Sequence, residues 1–272
     1  MKFQFVIPFL VVLAACSSTS NTNSNLVIVE NKIAITSHSD IPDHARFPES
    51  YKHGKFIDTL GTTLLYGGKS FHQHFDLKDC SLKQEQFHFG RGRESFPALL
   101  KPNFITINDV PDSLYDDSTR FLFLEKGGVK KAYSVPDLTR CEIVNDEING
   151  EPIMAAYCVL ADLGAIYSRT YKSKPFTFAL SGYTYHDDKV WNGLDGFVLW
   201  DRETESLWWP LTGDAVSGTM NGTKLVEYDQ TSWKELLWKD IKLNHQDAMI
   251  LESNQDFDRP TEWPKYSVAD LE

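Results

Sequence analysis

This 272-residue chain predicts a mainly β fold, β-rich α+β with an antiparallel sandwich or barrel-like core and a few short helices. Three observations carry that prediction. From about residue 104 onward, short aromatic and β-branched runs recur (FITI, FLFLEKGGVKKAYSV, AIYSRTY, PFTFALSGYTY, FVLW), with Gly, Pro, Asn and Asp between them. Asn149-Gly150 interrupts one such run, and both residues tolerate the positive φ angles of a two-residue hairpin turn. Helical spacing is confined to short stretches, the best of them near 231–240. Regularly spaced short strands with few helices are the pattern of sheets packed on sheets.

Residues 1–15, MKFQFVIPFLVVLAA, place one lysine before an apolar run and read as a signal peptide, too short to remain as a membrane span. The tetrad Leu13-Ala14-Ala15-Cys16 resembles a bacterial lipobox, which implies cleavage before Cys16 and acylation of that residue, palmitate included. Ser17 after the cysteine favours, in a Gram-negative cell, an outer-membrane lipoprotein facing the periplasm. Residues 16–25 then form the lipidated cysteine and a Ser/Thr/Asn tether unable to bury apolar area. Residues 26–87 are expected as an N-terminal extension packing on the core, 88–250 as the β-rich domain and 251–272 as a C-terminal tail. The net charge of −11 argues against nucleic acid as a partner, because phosphate binding needs a basic patch. The expected partner is the membrane, through the lipid.

Within the domain, Gly127-Gly128 marks a turn and residues 135–139 a short helical turn. The Asp201-Arg202-Glu203-Thr204-Glu205 run reads as a hairpin loop between FVLW and SLWWPL. Asp229 to Ser232 offers N-caps for WKELLWKDI, in which Leu236, Leu237 and Ile241 can share one face.

Four motifs, GRGRESFPALLKPNF at 90–104, KAYSVPDLTRCEIVNDEINGEP at 131–152, DRETESLWWPLTGDAVSG at 201–218 and NGTKL at 221–225, resemble in order those of the DUF3179 family of bacterial proteins. That resemblance implies a domain and carries no assigned reaction. It also exposes departures. Many members have His where this chain has Cys141, and Cys-Pro-Leu-Cys-Gly where it has Cys158-Val159-Leu160-Ala161-Asp162. With Ala161 in place of the second cysteine, dithiol chemistry of the C-x-x-C type is lost.

If Asn149-Gly150 closes a two-residue loop, cross-strand partners have numbers summing to 299, so Cys141 faces Cys158. Three readings stand: a structural disulfide in an oxidising compartment, two reduced cysteines packed as small hydrophobes, or a reactive-thiol or metal site. Phe71-His72-Gln73-His74 would put His72 and His74 on one face of a strand, able to grip a metal, with Cys80 and His88 nearby; a solvated segment is the plainer reading. Arg91 and Arg93 of GRGR form a candidate anion cradle, against a turn whose arginines pair with the acidic surface. Six of the seven tryptophans lie between Trp191 and Trp238, interleaved with Asp187, Asp188, Asp195, Asp201, Glu203 and Glu205. Such rings beside carboxylates suit a sugar, though core packing explains them more simply. No nucleophile elbow and no H-E-x-x-H zinc motif occurs. The sequence therefore leads to a lipid-anchored periplasmic binding or accessory protein of unknown ligand and cofactor. A thiol-redox or metal-dependent enzyme using Cys141 and Cys158 is the alternative.

Overall fold

The structure, a computed structural model, describes residues 52–187, 189–190, 195–229 and 231–272. The signal peptide, Cys16, the tether, Asp188, Trp191 and Gln230 lie outside the described residues. Within them the chain is strand-rich, with antiparallel pairing between its strands except where Met249–Leu251 runs parallel to Val129–Ser134, plus one isolated parallel bridge from Leu99 to Val144, and its sheets do not close into a barrel. A six-stranded sheet runs in the order Lys52–His53, Phe87–Phe89, Phe178–His186, Asp195–Asp201, Leu207–Trp209, Asp214–Ala215. A four-stranded sheet orders Val226–Glu227, Leu163–Ser168, Glu151–Cys158, Ile143–Ile148. A five-stranded sheet orders Trp233–Leu237, Arg120–Lys126, Val129–Ser134, Met249–Leu251, Phe104–Thr106.

Alternation along single strands explains how these sheets share their cores. In FLFL, Leu122 and Leu124 enter the main core while Phe121 and Phe123 point to the opposite face. There they join Tyr115, Trp238 and Ile241 in a second, smaller core beneath α2 (Trp238–Asn244). Both faces of the strand are covered, so all four side chains are buried. Leu65, Phe75, Leu77 and Phe87, from the segment before residue 88, belong to the main core.

The DRETE hairpin forms as expected, with Leu199 opposite Trp208 and Trp200 opposite Leu207. Its loop is held by Asp201, whose buried carboxylate accepts from the Thr204 N–H at 2.6 Å and the Trp208 indole N–H at 2.8 Å. Residues expected as a helical turn at 135–139 form α1 (Val135–Cys141), with Ser134 as N-cap accepting from the Asp137 N–H.

One element differs in place. WKELL is a strand, and the helix begins only at Trp238 with Leu237 as its N-cap. Pairing along Arg120–Lys126 decides this: Trp233 becomes fully buried, and Glu235 accepts two hydrogen bonds from Arg120, at 2.7 and 3.0 Å. Asp229 caps a turn instead, accepting from the Thr231 and Ser232 N–H groups. Sheet addition and burial outweigh a weak local helical preference.

The Asn149-Gly150 hairpin holds the expected register, Ile148 opposite Glu151 through Ile143 opposite Ala156. Asn149 and Gly150 carry φ of 51° and 77°, as a type I′ turn requires. Asn145 clamps this hairpin to the six-stranded sheet: its amide donates to the Phe178 carbonyl and accepts from the Phe178 N–H, both at 2.8 Å.

Candidate functional site

The GRGR segment meets the long strand Phe178–His186 at a bulge between Leu180 and Tyr183. Gly90 donates to the Gly182 carbonyl at 3.0 Å and Glu94 to the Leu180 carbonyl at 3.0 Å. Gly92 and Gly182 have φ of +92° and +86°, and a Cβ on Gly182 would lie 2.1 Å from the Gly92 carbonyl carbon. Two glycines are thus required for two backbones to touch here.

That contact separates the two arginines of the expected anion cradle. Arg91 is exposed, its guanidinium 5.2 Å from the Phe96 ring centre. Arg93 turns inward, 3.5 Å over the Trp200 ring, donating to the Gln73 carbonyl at 3.2 Å and lying 3.5 Å from Glu205. They line different cavities and do not converge on one anion.

Phe71–Gln73 is a 3-10 helix, so His72 and His74 do not share a strand face. His74 Nδ1 accepts from the Gly67 N–H at 3.2 Å, while His72 borders the cleft that holds Arg93. Among the described residues, no three His, Cys, Asp or Glu side chains converge as a metal-ligand set. Trp200, Trp208, Trp209, Trp233 and Trp238 are buried in the cores. Their faces are spent on packing.

Cys141 and Cys158 are both buried free thiols in the main core. The ladder that would have set them opposite each other ends one step early. Tyr157 still donates to the Glu142 carbonyl at 2.8 Å, but Cys141 is already the last residue of α1. Burial pushes the Cys141 thiol up to about 12 and raises Cys158 as well, with the nearby Glu142 charge adding to the latter. Raised thiols at low exposure are the opposite of a reactive thiolate. Cys80 is half-buried and raised by burial too. Ala161 is buried in the core. Asp162, standing at the glycine of the family motif, has φ of +50° and binds Arg120 at 2.8 Å.

Although the sulfurs are hidden, their neighbours open into one cavity of about 530 Å³. It lies between the GRGR segment, the end of α1 and the turn after Cys158, lined by Phe89, Phe96, Val159, Leu160, Leu180 and Phe197. Arg91 and Thr139 border it, and one carboxylate lies among the apolar groups: Glu142. Glu142 caps α1 in the left-handed region at φ 59°, a position glycine usually takes. Its N–H donates to the Leu138 carbonyl, and its carbonyl accepts from Tyr157, so the strained backbone is held from both sides. The carboxylate accepts one long hydrogen bond, from the Val159 N–H at 3.5 Å. Burial raises it to about 7.

Thr184 borders the same cavity and donates to Asp195, which lies 3.4 Å from His88 Nδ1. Here the acid stands between hydroxyl and imidazole. A nucleophile needs its base in that middle place, so the trio does not form a hydrolytic triad. Sequence reasoning singled out Cys141, the residue before Glu142, and missed Glu142 itself. The available signal was an acid, in place of Gly or Asn, directly after a short helix.

No curated protein and no solved structure matches the chain. The family described as protein of unknown function DUF3179 matches at residues 93–268, which includes the GRGR arginine Arg93, the α1 corner, the hairpin and the C-terminal segment. The chain belongs to the DUF3179 family.

Proposed function

We propose that this chain is a binding or accessory protein, carried by a lipid on Cys16 at the periplasmic face of the outer membrane, whose cavity beside Glu142 takes a small, mainly apolar ligand. The observation that carries the reading is the cavity itself. At about 530 Å³ it falls within the roughly 300–1,000 Å³ of small-molecule sites, and apolar side chains surround a single carboxyl. It also gathers, from distant parts of the chain, the GRGR segment with the Cys141 corner and the Cys158 turn, the two places where this sequence departs from the family pattern. The thiol-redox or metal-dependent alternative draws no support from two buried sulfurs with raised thiols.

Calorimetric titration of the full chain with 4-phenylbutanol, a neutral apolar probe, tests the cavity. Saturable binding is expected in the native chain and loss of it in Leu160→Trp, which adds bulk to the cavity lining. Equal binding by both would overturn the assignment. For the anchor, mass measurement of the mature chain made in a Gram-negative host should show acylation that Cys16→Ser abolishes.

A further inference from the structure

We infer that the ligand of this cavity carries a protonated amine, seated on the Glu142 carboxylate. The inference rests on the cavity reading above and adds the chemical class. An acid among apolar groups needs a counter-charge or strong donors to stay ionised, and the protein supplies little of either. Among the described residues its one hydrogen bond is the long contact from Val159, and burial is the leading influence on it. Arg140, two residues earlier, lies 5.6 Å from the Phe257 ring centre and pairs with no acid there. Arg91 is exposed at the cavity's edge, where water and salt screen it.

Geometry points the same way. The Glu142 backbone is fixed at a costly positive φ by hydrogen bonds on both sides, so the carboxylate is delivered to the cavity by the turn. Phe89, Phe96, Leu160 and Phe197 offer contact to an apolar or aromatic body. An amine on such a body would meet Glu142 with the cation that the protein withholds, and the pair would gain from the low dielectric around it. A carboxylate ligand would be repelled by Glu142 and left with the screened Arg91.

A matched series separates the possibilities: 4-phenylbutylamine, 4-phenylbutanol and 4-phenylbutyrate, titrated calorimetrically into the full chain at pH 7.5. The amine is expected to bind at least tenfold tighter than the alcohol, and the butyrate weaker than either. Glu142→Gln should remove the amine's advantage, so that amine and alcohol bind this variant within about twofold of each other. If the alcohol binds and the amine gains nothing, or if the butyrate is preferred, the amine assignment is overturned and the cavity reading survives. If none of the three binds, the cavity reading itself fails. The comparison within the unmodified chain stands even if the variant does not fold.

Discussion

Replacing Gly182 by alanine should displace a wall of the cavity, and the cost follows from three distances. An added Cβ would lie 2.1, 2.2 and 2.4 Å from the carbonyl carbon, oxygen and Cα of Gly92, all backbone atoms. No rotamer relieves that overlap, so one chain must withdraw by more than an ångström. The withdrawal breaks the Gly90 to Gly182 and Glu94 to Leu180 hydrogen bonds, worth about 1 kcal/mol each. Holding alanine at φ +86° costs about 1–2 kcal/mol more. A loss of roughly 3–4 kcal/mol is expected in urea unfolding, together with weakened 4-phenylbutanol binding. Gly128→Ala is the control, since its φ of +81° is similar but no atom lies within 4 Å of the new Cβ. It should lose only the backbone share, about 1–2 kcal/mol. Equal losses in the two variants would refute the claim that backbone contact, and not turn geometry, makes Gly182 necessary.

Other consequences are open to measurement. Glu142 is raised from 4.5 to about 7, so the stability its protonated form contributes is complete below about pH 4.5 and is lost as pH rises through 7. Glu142→Gln should therefore flatten the profile and gain on the native chain by up to about 3 kcal/mol at pH 8, less whatever solvent in the open cavity screens; an unchanged pH profile would contradict the buried-acid assignment. Asn145→Ala strands both polar groups of Phe178 between two sheets and should cost about 2–4 kcal/mol, read as a lower urea midpoint. Arg202 is buried and holds Glu94 by two 2.8 Å hydrogen bonds, so Arg202→Met should lose about 3–5 kcal/mol; a loss under 1 kcal/mol would show that the pair is dispensable. Cys141 and Cys158 should resist a thiol reagent at pH 8 in the native chain and react once it is denatured without reductant. Among the described residues three thiols, Cys80, Cys141 and Cys158, are then expected, and a count of one would restore the bridge.

Where a feature depends on neighbouring residues, the sequence by itself determined it. The Asn149-Gly150 turn set the hairpin register from Ile148 and Glu151 as far as Ile143 and Ala156, because the φ angles of a tight turn fix which residues face each other. Ser134 and Pro136 were enough to start α1, and the DRETE loop was enough to join its two strands. Position 141 lay beyond that reach, since α1 occupies the place where the ladder would have continued. The choice of strand over helix at Trp233–Leu237 was made by Arg120–Lys126, a strand more than a hundred residues earlier. Tertiary structure likewise sent Arg91 and Arg93 to different cavities, and it put Glu142 beside Phe89, Leu160 and Phe197. A turn is specified by the torsions of two residues, whereas a cavity is the space left when distant segments pack. Its lining, and the pKa of the acid within it, come into existence only when those segments exclude water together.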